Sequence, residues 1–322
     1  RVPQHAIGGW RIVASHSDSP SWKIKNDTVE NDGCRRLSVE GYGGMIMSTW
    51  LDRPLTVAGR VMLRTPDGLQ TRLVHLDRDL LVIPSLAIHM QRDINKGHAY
   101  NPQVDMQPLW GAAGSRTLTD LIAEELHVAA QDILDTDLQL VTRQAPCFVG
   151  ADREFFMAPR IDDLECAAAT LLAFLDAAPD CDSSCAPVWA LLDNEEVGSG
   201  TRQGAASRFM RDVLDRILDA VPHSAQAMHR AMANSFLLSA DNAHATHPNF
   251  AAKSDPCAPV RLGGGVVLKY NASQKYTTNA ISGAVFRAVC EKAGVPVQVF
   301  TNRADEPGGS TLGNLQSQTL PI

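Results

Sequence analysis

Leu191-Leu-Asp-Asn-Glu-Glu-Val-Gly-Ser199 closes an apolar run, Ala186-Pro-Val-Trp-Ala-Leu-Leu192, and the fold follows from how that junction is read. The run is short, continuous and preceded by a Cys/Ser cluster and a proline, the pattern of a buried strand. The strand delivers two adjacent carboxylates, Glu195 and Glu196, to its carboxyl end. In open α/β sheets, ligands bind at that end. Neighbouring side chains on extended backbone point opposite ways, so one glutamate can hold a metal while the other faces a water. The same residues also read as a solvated acidic turn before a helix. The decision turns on what other strand ends carry.

Gly8-Gly-Trp-Arg-Ile-Val-Ala-Ser15 reads as a glycine turn feeding a strand that ends in His16-Ser-Asp18-Ser-Pro20. His-x-Asp at a strand end lets the histidine offer one ring nitrogen to a metal while the carboxylate two residues on fixes the ring. Arg160-Ile-Asp162-Asp163 opens a strong helix former, Ala167–Ala177. One of those two aspartates reads as a plain cap of free N–H groups. Asn234–Ala240 reads as a strand ending at Asp241, and Gly263–Asn271 and Pro296–Phe300 as further strands. Ala205–Val221 and Thr278–Ala293 read as helices, the second with apolar Ile281, Val285 and Val289 and a Gly294 stop. This part has the alternation of an α/β fold.

Between Trp22 and Pro146 the texture differs. Arg36–Glu40, Gly44–Ser48, Leu55–Leu63 and Thr71–Leu76 are short alternating runs separated by Gly, Asp and Pro, as in an antiparallel β-rich module. Pro66-Asp-Gly68 marks a turn, Ser85–Gln91 a short amphipathic element, Gly97–Arg116 a loop, and Thr117–Ala130 a helix started by Thr119 and Asp120. The expected organisation is a discontinuous catalytic domain, residues 1–21 and 147–322, with a β-rich domain, residues 22–146, inserted.

A net charge of −7 and a pI near 5.8 argue against nucleic acid or an anionic membrane as partner. No run reaches the ~18–20 apolar residues of a membrane-spanning helix. Arg1-Val-Pro-Gln-His5 lacks the pattern of a secretory signal. The seven cysteines show no zinc-knuckle spacing, and free thiols in a reducing cytoplasm, Cys181 and Cys185 included, are the expectation.

Four strand or helix ends thus carry His16, Asp162 or Asp163, Glu195-Glu196 and Asp241. Histidine and carboxylates without cysteine suit a metal such as zinc in hydrolysis. They make up most of a two-metal site, in which ions roughly 3.5–4 Å apart orient a water and polarise a carbonyl. The spare glutamate then serves as general base.

With these in place, the ordered set His16–Pro20, Asp52–Arg60, Ile83–His89, Pro159–Asp162, Asp193–Ser199, Asp241–Asn249 and Gly309–Gly313 resembles the aspartyl aminopeptidases, dinuclear zinc exopeptidases. The resemblance implies a peptidase-like α/β catalytic domain, with a mixed central sheet flanked by helices and an inserted β-rich dimerisation domain. It implies two Zn²⁺ per subunit, or Mn or Co in their place. It implies cleavage of N-terminal Asp or Glu from peptides in the cytoplasm, by a tetrahedral homododecamer built from dimers. His16 is then a ligand of one metal, Asp18 its supporting catalytic carboxylate, Asp162 the bridging ligand, Glu195 the general base, Glu196 a metal ligand and Asp241 the ligand of the other metal. His89, reaching a neighbouring subunit's site, with His244, His247 and Lys269, falls on substrate-binding positions, and Lys269 suits an acidic side chain on charge grounds.

Asp163 stands where the family usually has Asn. The family's apolar helical segment ahead of the His-x-Asp strand and its C-terminal Met-His-Ser, whose histidine completes the second metal site, have no counterpart in this sequence. The chain is therefore expected to be shorter than the family at both ends and to lack one ligand. Two other readings stay open: a neutral aminopeptidase or N-acyl amino-acid deacylase on the same architecture, and a catalytically impaired assembly or binding protein.

Overall fold

In a computed structural model the chain is described over residues 6–177 and 184–322, so the readings of Arg1–His5 and of Cys181 lie outside the described residues. It divides into two compact units, one running up to Asp18 and resuming at Arg160, the other spanning Ser19–Pro159.

The first unit begins with β1 (Gly9–His16). The second is built on a six-stranded antiparallel sheet: β2 (Ser21–Asn31), β3 (Cys34–Tyr42), β4 (Leu55–Thr65), β5 (Gly68–His75), β6 (Leu109–Ala112) and β7 (Ile133–Thr142), in the order β5-β4-β7-β2-β3-β6. Alternation along the strands buries Trp22, Leu37, Val39, Val57, Val61, Leu138 and Leu140 in one core, which Met106, just after the largely exposed α1 (Pro102–Asp105), and Leu118, Leu121 and Ile122 of α2 (Leu118–Leu126) complete. The unit ends in a hairpin, β8 (Cys147–Val149) and β9 (Phe155–Met157).

Several local readings of this unit are corrected. Gly44–Ser48 is no strand: Met47–Trp50 form a 3₁₀ turn, and Met45, Met47 and Trp50 pack on the core from it. Ser85–Gln91 is a largely exposed, irregular turn, because none of its apolar side chains reaches the core. The segment read as a loop over 97–116 holds α1, started by Asn101 as cap and Pro102 at the first helical position, and β6, which pairs with β3. The capping box of α2 pairs Asp120 with Thr117, two residues before the Thr119 read as the start, and the helix stops where His127 turns left-handed.

The first unit continues with α3 (Ile161–Asp176), β10 (Cys185–Leu192), α4 (Phe209–Asp219), α5 (Ala227–Ala233), β11 (Phe236–Ser239), β12 (Val266–Tyr270), α6 (Ala280–Ala293), β13 (Val297–Thr301) and α7 (Leu312–Gln316). This is the expected α/β alternation, with β10-β1-β11 as one parallel sheet and β12-β13 as another. Antiparallel members that a mixed sheet would add are absent from both among the described residues. Trp10, Ile12, Ala14, Leu192, Met210, Leu214 and Leu218 make its core. Helix α4 starts only at Phe209, because 205–208 turn to bury Ala205. On α6, an Asn279–Ser282 capping box and Gly294 set the ends, but Ile281, Val285 and Val289 lie exposed rather than in the core.

Register places the site. Across β1, His16 stands level with Leu192 of β10, and Ala14 stands level with Ser239 of β11. His16, the Asp193–Glu196 turn and Asp241 therefore leave the sheet at one edge, the carboxyl ends of three parallel strands.

Candidate metal centre

His16 ends β1 and is buried, 1% exposed as a residue. Its Nδ1 lies 3.0 Å from the carbonyl oxygen of Asp18 and 3.4 Å from the carboxylate Oδ1. Its Nε2 lies 3.3 Å from Oδ1 of Asp162. The aspartate two residues on thus fixes one edge of the ring and leaves the other facing carboxylates, the arrangement that metal-ligating histidines require.

Asp18 does more than hold the ring. Its Oδ1 accepts the backbone N–H of Glu195 and its Oδ2 that of Glu196, each at 3.1 Å. Glu195-Glu196-Val197 form a single 3₁₀ turn, entered through Asn194 in the left-handed region at φ 61°, a conformation asparagine tolerates. One carboxylate therefore ties the His-x-Asp strand end to the Glu-Glu turn.

The two aspartates at the head of α3 are not caps in a helical turn. Asp162 (φ −78°, ψ 111°) and Asp163 (φ −117°, ψ 24°) precede the regular helix, and Arg160 before them is left-handed. Asp163 is fully buried, and its Oδ2 accepts the backbone N–H of His16 at 3.0 Å. The α3 N–H groups therefore do not claim this carboxylate; the end of β1 does.

One ligand atom each from His16, Asp162 and Asp241 lie within 4.8 Å of one another, and so do atoms from His16, Glu195 and Glu196. Asp241 thus shares a cluster with His16, although the resemblance implied separate metals for them. Crowding shows in the protonation. Burial opposes charge on His16, yet hydrogen bonds to Asp162 and Asp18 and the charges of Asp163 and Glu195 push its pKa up to about 11. Burial, with Asp162 nearby, pushes Glu196 up to about 7. Burial also raises Asp163 to about 6, and raises Glu195 and Asp241 above their ordinary values. Carboxylates that hold a proton this firmly have the charge and donor type to hold a borderline dication instead.

Lys269 on β12 donates to the carbonyl of Asn242 at 2.6 Å, lies 3.7 Å from Oδ1 of Asp241, and sits over the Tyr276 ring at 5.5 Å. It is tied into the site rather than solvated. His244 and His247 are exposed and belong to neither cluster. His89 is exposed on the β-rich unit. Sequence reasoning missed Asn242, whose Nδ2 donates to Glu165 at 3.0 Å, and the grip of Asp163; only their adjacency to Asp241 and Asp162 signalled either. Beyond the ends of β12 and β13 a cleft of about 720 Å³ opens between Asn271, Lys275, Thr278, Arg303 and Gly308.

A histidine and clustered carboxylates at the carboxyl ends of parallel strands define a metal-dependent hydrolase of α/β type. The family described as aminopeptidase I zinc metalloprotease (M18) matches residues 3–321, and the chain belongs to it. Membership supports a metal-dependent aminopeptidase. The chain is 43% identical to a probable M18 family aminopeptidase 2 of Clostridium acetobutylicum, over 98% of this chain and 74% of that protein. It is 38% identical to its counterpart in Pseudomonas aeruginosa, over 98% and 73%. A chain of the solved Ape4 and Nbr1 complex superposes with a TM-score of 0.93 at 35% identity, over 99% of this chain. The chain thus spans about three quarters of those curated relatives and 66% of the matched chain in that complex. The M18 aminopeptidase of Thermotoga maritima gives 0.81 at 27%, over 97% and 72%, and the S. cerevisiae mApe1 dodecamer 0.82 at 25%, over 98% and 73%.

Proposed function

We propose that this chain carries the working centre of a zinc exopeptidase that removes N-terminal acidic residues from peptides. The observation that carries the reading is the convergence of His16 with Asp162 and Asp241 on one side and with Glu195 and Glu196 on the other. In this reading His16, Asp162 and Asp241 would hold one ion and Glu196, with Asp162, would help hold a second, Mn or Co being able to substitute. Metal held there would supply Lewis-acid chemistry for a peptide carbonyl and a water. Glu195 would take the proton of the attacking water, and its raised pKa suits a group that must pass that proton on to the leaving amine. Asp18 keeps the His16 ring and the Glu195–Glu196 turn in place while this happens.

Lys269 is the cation nearest Asp241, and with His244, His247 and a partner copy's His89 it forms the substrate end of the site in this reading. Charge pairing with an acidic side chain supports the Asp/Glu preference. One observation favours a neutral specificity instead: the Lys269 ammonium already has Asn242 and Asp241 as partners. Hydrolysis rates on Asp-, Glu-, Leu- and Ala-anilides decide. An acidic preference supports the reading; equal or higher rates on Leu or Ala remove it.

The β-rich unit is proposed as the dimerisation domain of a tetrahedral dodecamer acting in the cytoplasm. Support comes from the relative solved as a dodecamer and from the β8–β9 hairpin, which leaves Phe148, Phe155, Phe156 and Met157 exposed. Among the described residues no helix is long and apolar enough to cross a membrane.

A further inference from the structure

The chemistry assigned above leaves the first turn of α3 without a role beyond Asp162. Two of its side chains reach away from the helix to segments distant in sequence. Asp163, fully buried, accepts the backbone N–H of His16 across 147 positions at 3.0 Å. Glu165 accepts Nδ2 of Asn242 across 77 positions at 3.0 Å, and the Cys166 thiol lies 3.8 Å from the same amide's Oδ1. The Asn242 carbonyl is in turn held by Lys269. His16 and Asp241, adjacent to Asn242, are the cluster partners of Asp162.

We propose that Asp163 and Glu165 are positioning residues, a two-sided clamp that fixes the ends of β1 and β11 around Asp162. Neither belongs to the ligand clusters, so their work is geometric. Asp163 sets where the His16 backbone, and with it the imidazole, stops. Glu165 sets where Asn242, and with it Asp241, stops. Outer partners of this kind hold ligands in place, and their loss costs about 10–100-fold in metal affinity. The inference rests on the metal-site reading above.

The test is Zn²⁺ affinity by competition with a chromophoric chelator, on the whole chain, with thermal unfolding of the chelated protein as a check on folding. Asp163→Ala is expected to weaken zinc by about tenfold or more. Asp163→Asn, which keeps a carbonyl acceptor for the His16 N–H, is expected to restore most of the loss. Zinc bound as tightly by Asp163→Ala as by the parent overturns the clamp, and so does an Asn variant as impaired as the Ala one. If Asp163→Ala fails to fold, the cycle Glu165→Ala with Asn242→Ala decides on the exposed side. Losses in zinc affinity that do not add support the clamp; additive losses overturn it. A parent chain that binds no zinc overturns the metal-site reading itself, an outcome distinct from the others.

Discussion

Nε2 of His16 lies 3.3 Å from Oδ1 of Asp162, and the charge balance of that pair and its surroundings makes stability depend on pH. His16 is raised from 6.5 to about 11, so the stability it contributes is complete below 6.5 and is lost as pH rises through about 11. Glu196 is raised from 4.5 to about 7, so its contribution is present below 4.5 and lost as pH rises through about 7. Both act in one direction. The unfolding temperature of chelator-treated protein is expected to fall from pH 4.5 to 7 and further above. Asp137, held low by Arg60, acts in the opposite sense but only below its ordinary value of 3.8. A cation competes with those protons, so zinc affinity should climb as pH rises to about 7. A chelator titration giving the same affinity across that range counts against the ligand set.

Glu195 and Glu196 separate by role on substitution. Glu195→Gln is expected to lower kcat by about 10²–10⁴-fold while zinc content stays at the parent level, because a base is lost and not a ligand. Glu196→Gln is expected to lower zinc content. Elemental analysis beside a rate assay reads both, and retained turnover in Glu195→Gln takes the base role away from it.

Asp18→Ala removes the acceptor of two N–H groups and the partner of Nδ1 at once. It is expected to reduce zinc affinity by about 10–100-fold and kcat along with it. Asp18→Asn retains one carbonyl acceptor and should fall between. Equal zinc binding by all three proteins contradicts the coupling.

What could be read from the sequence follows physical range. The strands of the α/β unit announced themselves because apolar runs bounded by turn residues are local signals, and His16, Glu195, Glu196 and Asp241 stood out as candidates because each closes or closely follows such a run, whereas Asp162 stands at a helix start. Asp163 was not legible. Its partner is the backbone of a residue 147 positions away, and beside a helix start a carboxylate looks like a cap. The exposed positions of Ile281, Val285 and Val289 show the converse limit: an i, i+4, i+8 apolar stripe fixes a helix face but not what lies against it. Residues 97–116 hid a helix and a strand because each is only four residues long, too short for a period to show.

Lys269 can act on the substrate only if its ammonium can also leave or share its bonds to Asn242 and Asp241. Lys269→Met removes both functions, so the pattern across substrates is what distinguishes them. A specificity role predicts a loss on Asp- and Glu-anilides of about tenfold or more, the size of one charge-assisted pair, with Leu-anilide little changed. A purely internal role predicts equal losses on all substrates together with weaker zinc binding.

The β8–β9 hairpin is the surface on which self-association can be tested. Its strands are three residues each, and the Phe148 and Phe156 rings meet at a tilt with centroids 5.4 Å apart while remaining 56% and 55% exposed. A hairpin this small is marginal in water by itself, and aromatic side chains left in solvent gain by burial against another surface. Phe148→Ser with Phe156→Ser should shift sedimentation toward smaller species if the hairpin lies between copies of the chain. The interior of neither unit contains these rings, so thermal unfolding of the smallest species should be little changed. An unaltered sedimentation profile takes the interface role away from the hairpin.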